Sequence, residues 1–256
     1  MRLGIFTDVH SNFEALKAVA LALRSEKIDR LIFLGDAVGY GADPNDCCRI
    51  IREMAHVALV GNHDAALTGR LPMDWFVEYA REVIKWTEGV INPVFHEWLS
   101  TLPFFHREEE VGFCHGSPVD PERFGYVLDY KEAYEIWDWM EPQGIPVVFV
   151  GHAHIGLAFR HNHAPGGKDK DEVKIFNLNG IESPRTKLDP DYSWIINVGA
   201  VGQPRDGDPR AVYSIFDTET RIYSVQRVEY DIKSAGSRIE KAGLPSVLSE
   251  RLFVGR

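Results

Sequence analysis

The chain has 256 residues, 45% hydrophobic and 26% charged, with a formal net charge of −10; this supports one sizeable core and excludes a largely disordered polymer. The acidic balance, without a basic stripe, makes a nucleic-acid backbone a poor partner. No apolar run reaches membrane-spanning length, and Cys47, Cys48 and Cys114 lack zinc-ribbon or redox spacing, so a cytoplasmic protein with reduced thiols is expected.

Arg2 leads straight into an apolar run with no signal-peptide core. Leu3–Phe6 reads as a first strand. From Phe13 onward, Leu16, Val19, Ala20 and Leu23 share one helical stripe, and Asn12 is placed to cap it. Leu31–Leu34 reads as a second strand, Asp46–Met54 as a helix and Val57–Val60 as a third strand. This alternation predicts βαβ units and a largely parallel sheet.

A helical insertion is expected at about 66–105, packed on one edge with Trp75, Trp86 and Trp98 half-buried. Strands resume at Val111–Cys114 and Val147–Val150. Between them, Asp129-Tyr130-Lys131-Glu132 resembles a capping box that opens a helix through Met140. An exposed hairpin is expected at about 161–172, where Pro165-Gly166-Gly167 marks a turn. Later strands near Val173–Leu178, Trp194–Val198, Val212–Phe216 and Tyr223–Val228 predict a second sheet of mixed or antiparallel type. C-terminal helices are expected at about 231–256, and residues 1–256 read as a single domain.

Five short motifs each follow an apolar strand-like run: Asp8-Val9-His10, Gly35-Asp36, Gly61-Asn62-His63-Asp64, Cys114-His115-Gly116 and Gly151-His152-Ala153-His154. In open α/β sheets the ligand crevice lies beyond the carboxyl ends of strands, so these segments can converge there. Asp8, Asp36 and Asn62 offer oxygen, and His10, His115, His152 and His154 offer imidazole. That mixture suits manganese, iron, cobalt, nickel or zinc better than magnesium or calcium. Seven side chains exceed the needs of one ion but suffice for two if a carboxylate bridges, with Asp36 the candidate. His56, His96, His106, His161 and His163 lack a ligand context.

In this order the motifs resemble those of the calcineurin-like metallophosphoesterases: D-x-H, G-D, G-N-H-D/E, H and G-H-x-H. The resemblance implies an α/β fold, a four-layer α/β/β/α sandwich with two mixed sheets. It also implies two divalent transition metal ions, one held by Asp8, His10, Asp36 and His154, the other by Asp36, Asn62, His115 and His152. Two ions about 3.5–4 Å apart can activate a shared water for in-line attack and clamp the phosphoryl oxygens. His63, free of ligation, is then expected to contact the phosphoryl group or protonate the leaving oxygen, with Asn62 beside it and Asp64 orienting it.

Protein phosphatases of this superfamily carry Asp-Arg-Gly after the second motif. Here Tyr40 takes the arginine's place in Gly35-Asp36-Ala37-Val38-Gly39-Tyr40-Gly41, and the third motif ends in Asp64 rather than Glu. The resemblance is therefore to the small prokaryotic phosphodiesterase-type members. The expected substrate is a small-molecule or nucleotide phosphodiester. The alternatives are a phosphomonoesterase or protein phosphatase, and a metal-binding scaffold without activity; a homo-oligomer is compatible with either. A second feature is the Gly-rich loop Asn197–Arg210, where Arg205 is expected to grip a further phosphate. Otherwise Arg205 would pair with Asp206 or Asp208 in a surface turn. Tyr40 and Asn45 are expected either to touch a base or sugar or to pack the loop.

Overall fold

The computed structural model describes residues 1–162, 172–175 (as backbone) and 185–256. The first half runs β1 (Arg2–Phe6), α1 (Phe13–Ser25), β2 (Arg30–Phe33), α2 (Pro44–Met54), β3 (Val57–Ala58), α3 (Asn62–Leu67), α4 (Glu78–Val90) and α5 (Pro93–Thr101). Next come β4 (Phe105–Glu108), β5 (Val111–Cys114), α6 (Tyr130–Met140), β6 (Val147–Val150), β7 (Gly156–Asn162) and β8 (Glu172–Ile175). The chain closes with β9 (Arg185–Lys187), β10 (Tyr192–Val198), β11 (Ala211–Asp217), β12 (Ile222–Val228), α7 (Ile232–Lys241) and α8 (Ser246–Leu252).

The strands form two six-stranded sheets, ordered β3-β2-β1-β11-β12-β9 and β4-β5-β6-β10-β7-β8. Within the first, β1, β2 and β3 are parallel; within the second, β5, β6 and β10 are parallel, so both sheets are mixed. Period-2 alternation sets the layers. Leu3, Ile5, Ile32, Val147 and Phe149 meet between the sheets, while Phe6 and Phe33 face α1 and α2, and Val148 and Val150 face α6. The α/β/β/α sandwich follows from those three apolar interfaces. Asn12 caps α1 through Ala15 N–H at 3.1 Å, and among the described residues no helix is long and apolar enough to cross a membrane.

The late strands depart from expectation: they do not make up the second sheet by themselves. β10 joins it beside β6, but β11 and β12 return to the first sheet, with Leu3 opposite Phe216 and Ile5 opposite Ser214. The hydrophobic pattern fixes which face of a strand is buried, and Phe216 satisfies it equally well in either sheet; the open edge of β1 decides. The third strand is shorter than expected because Val60 N–H turns away to Pro103 O at 3.0 Å. β7 and β8 pair antiparallel, and the turn expected between them, residues 163–171, lies outside the described residues, as do residues 176–178.

Candidate metal centre and its cleft

Every expected ligand lies just past the end of a parallel strand. Asp8 and His10 follow β1, Asp36 follows β2 and Asn62 follows β3, while His115 follows β5 and His152 and His154 follow β6. Asp8, His10, Asp36, His152 and His154 all have positive φ, between 48° and 66°. Non-glycine residues avoid that left-handed region at a cost of order 1–3 kcal/mol each, and such strain concentrates at functional sites. Here it turns each side chain off the strand direction and inward. Gly61 has to be glycine, because a Cβ there would strike Asp36 Oδ1 and its backbone nitrogen.

The side chains converge in two groups. His154 Nε2 lies 3.1 Å from Asp8 Oδ1 and 3.1 Å from His10 Nε2. On the other side, His115 Nε2 lies 3.2 Å from Asn62 Oδ1, and Asp36, His115 and His152 offer ligand atoms within 4.8 Å of one another. Asp36 Oδ2 stands between the groups, 3.5 Å from His10 Nε2 and 3.4 Å from His115 Nε2.

The rings are held in the tautomer that metal ligation needs. Nδ1 of His10, His115 and His154 donates to the carbonyls of Val38, Leu34 and Gln203 at 3.0, 3.0 and 2.6 Å. Since a carbonyl only accepts, each ring in its neutral form presents a lone pair at Nε2. The His10 and His154 lone pairs face each other, which a cation between them would relieve. Each carboxylate is likewise half anchored: Asp8 Oδ2 accepts from His152 N–H at 3.0 Å and Asp36 Oδ1 from His63 N–H at 2.8 Å. Asp8 Oδ1 and Asp36 Oδ2 are buried without hydrogen-bond partners, a costly state unless a cation satisfies them. This donor set fits divalent transition ions.

The buried charges set the protonation of these groups. Burial alone would raise the Asp8 and Asp36 carboxyls, but surrounding imidazoles, His154 and His115 foremost, reverse this and hold both well below the usual range. Burial pulls His154 down to about 4 and holds His152 well below the usual imidazole range, leaving both neutral as ligands must be. For His115, burial is outweighed by Asp36 and Asp8, which push it up to about 9.

His63 is buried, but Asp64 does not orient it. Both Asp64 oxygens are taken by backbone: the amides of Asp36, Ala37, Val38 and Gly61 donate to them at 2.8 to 3.2 Å. α3 begins at Asn62, and neighbouring residues on a helix point about 100° apart. His63 is held instead by ring edges, with centroids 4.6 Å from Tyr40, 4.8 Å from His10 and 5.0 Å from Phe76. Its Nδ1 has no hydrogen-bond partner, and burial pushes the imidazole down to about 3.

A cleft of about 390 Å³ opens onto Asp36, Asn62, His63, His152 and His154, and Arg205 lines it too. Arg205 is not part of an acidic surface turn: Asp206 pairs with Arg227, and Asp208 with Arg210 at 2.6 Å. Its Nη2 reaches Gln203 Oε1 at 3.2 Å and Tyr40 Oη at 3.4 Å. Tyr40 is buried in the cleft wall, whereas Asn45 does not line the cleft and docks the insertion through Val90 O and Asn92 N–H at 2.8 and 2.7 Å. The insertion is not mere edge decoration, since Leu71, Trp75, Phe76 and Tyr79 line the cleft. Trp86 and Trp98 are half-buried as expected, but Trp75 is exposed. Tyr126, Arg123 and Arg251 also line it and belong to no motif.

The structure is thus a two-sheet α/β sandwich whose strand ends carry a buried carboxylate–imidazole cluster that could hold metal ions. A family model described as the calcineurin-like phosphoesterase superfamily domain matches residues 1–221. An uncharacterized protein of Methanocaldococcus jannaschii is 38% identical over 259 residues, covering 99% of this chain and 98% of its own. The crystal structure of a metallophosphoesterase from Sphaerobacter thermophilus superposes with TM-score 0.83 at 35% identity, covering 100% of this chain and 99% of that one. That of a hypothetical protein from Pyrococcus horikoshii gives 0.75 at 18% identity over 100% and 98%, a likeness of fold alone. The chain belongs to the calcineurin-like phosphoesterase superfamily, whose members are phosphoester hydrolases that use divalent metals.

Proposed function

We propose that this chain is a phosphodiesterase with a two-ion centre that hydrolyses a small-molecule or nucleotide phosphodiester. Asp8, His10, Asp36 and His154 hold one ion, and Asp36, Asn62, His115 and His152 hold the other, with manganese, iron, cobalt, nickel or zinc as the candidates. When bound, such ions supply an activated water and neutralise charge on the phosphoryl oxygens. His63 donates to a phosphoryl oxygen or to the leaving oxygen from its edge-on seat beside Tyr40 and Phe76. Asn62 faces the same group, and Arg205 grips a phosphate beyond it.

The carrying observation is the pair of orphaned carboxylate oxygens, Asp8 Oδ1 and Asp36 Oδ2, set among imidazole Nε2 atoms whose Nδ1 protons are already committed. A cleft that continues past these residues favours a diester, which has a group on each side of phosphorus. Tyr40, where protein phosphatases carry a phosphate-gripping arginine, weighs against a phosphoprotein. The three buried thiols, all unpaired, suit a cytoplasmic setting. The test is turnover of bis-p-nitrophenyl phosphate against p-nitrophenyl phosphate with each metal. A higher kcat/KM for the diester and two ions per chain are expected. No hydrolysis of either ester by the metal-loaded protein would instead indicate a scaffold.

A further inference from the structure

The cleft is built for more than a phosphoryl group. Its volume of about 390 Å³ lies in the range of sites for whole small molecules, and the candidate ligands make up only part of its wall. Three guanidiniums, those of Arg123, Arg205 and Arg251, line it, and among the described residues Asp36 is the one acidic side chain that does so. In a chain of net charge −10 that is a local inversion of sign. Arg251 spends its Nε on Arg256 O at 2.7 Å and its Nη1 on Tyr79 Oη at 3.3 Å. Among the described residues neither it nor Arg123 has an acidic side-chain partner. Arg251 comes from α8, beyond residue 221, where the family match ends.

The aromatic lining has the same character. Tyr126 lies flat on the candidate ligand His152, with centroids 3.9 Å apart and planes at 14°, yet it is 47% exposed. Trp75, on the insertion, is 60% exposed. An open ring on a cleft wall offers its free face to a planar group, and base–aromatic stacking is the common use of such platforms.

We propose that Arg251 and Arg123 form a second anion subsite, and Tyr126 and Trp75 a ring platform, so that the ester carries a planar base-like ring and a further phosphate. This rests on the phosphodiesterase reading above and narrows it to nucleotide-type esters with at least two phosphate groups. The subsite lies on the insertion, the segment after β5 and α8, and Arg205 joins it to the metal-ligand end.

The test measures binding of adenosine 3′,5′-bisphosphate, adenosine 5′-monophosphate and ribose 5-phosphate to the manganese-loaded protein by calorimetry. It is repeated as inhibition of p-nitrophenyl phosphate turnover. In the wild type the bisphosphate should bind at least tenfold more tightly than the monophosphate, and R251Q should erase most of that margin. R123Q, on an exposed loop, should reduce it in the same direction and guards against misfolding of the first variant. The monophosphate should exceed ribose 5-phosphate by roughly tenfold, a margin that W75A or Y126A cuts. Equal binding of bisphosphate and monophosphate in the wild type, or a parallel loss of both in R251Q and R123Q, overturns the anion subsite. Equal binding of the nucleotide and the sugar phosphate overturns the platform. Absent turnover with these binding margins intact would count against the hydrolase reading and leave the subsite standing.

Discussion

Asp36→Asn preserves shape but removes the negative charge shared by the two groups of imidazoles. Because Asp36 Oδ2 sits within 3.5 Å of both His10 and His115, the variant should lose bound metal on both sides, read as ions per chain by elemental analysis. Two retained ions with normal turnover would sink the bridging assignment. His63→Ala, by contrast, should keep both ions and lower turnover by about 10²–10⁴-fold, the usual span for a proton-transfer or hydrogen-bonding group. A loss confined to esters with poor leaving groups would assign His63 to the leaving oxygen. A uniform loss would assign it to the phosphoryl oxygen, which agrees with an imidazole kept neutral by burial. Arg205→Ala should reduce kcat/KM for a nucleotide diester more than for p-nitrophenyl phosphate, since charge-assisted hydrogen bonds are worth roughly 1.5–3 kcal/mol. An equal fall in both would move Arg205 to the reacting phosphoryl group.

At the scale of elements, Asp64 ties the loop after β2 to the start of α3. Asp64→Ala would strand four backbone N–H groups, and each unmet buried donor costs about 1–3 kcal/mol, so a loss of about 3 kcal/mol or more is expected by denaturant unfolding. Wild-type stability with reduced turnover would return Asp64 to a role in the chemistry. Sequence adjacency suggested that role, and helical geometry explains the difference: once α3 starts at Asn62, His63 and Asp64 diverge. What could be read from sequence was the set of strand-end motifs, because Asp8, Asp36 and His115 each follow a short apolar run and carry metal-compatible chemistry. Sheet membership was illegible, since the alternation in β11 fits either sheet. Arg251 and Tyr126 were illegible for another reason: long-range packing brings a C-terminal helix and a loop to the cleft, and neither segment carries a local signature.

Across the whole molecule, metal removal should register in stability as well as in turnover. A ligand that binds only the folded state stabilises it by about 2.7 kcal/mol when present at 100 times its dissociation constant. A chelator should therefore lower Tm, and readdition of manganese should restore it; a Tm indifferent to both would mean that the cluster does not hold ions.

Asp8, Asp36 and Asn62 hang from the first sheet, while His115, His152 and His154 hang from the second. The ions would thus be clasps across a seam that is otherwise closed by side-chain packing and by hydrogen bonds such as His152 N–H to Asp8 Oδ2 and His115 Nδ1 to Leu34 O. A clasp of this kind acts like a cross-link, tying residue 8 to residue 154 and removing the chain freedom that lets two layers part. Opening at the carboxyl end of β1 would then be coupled to opening at that of β6. Amide exchange at Val9 and Ala153 should rise together when metal is withdrawn, and independent rates at the two positions would show that the ions do not couple the two sheets.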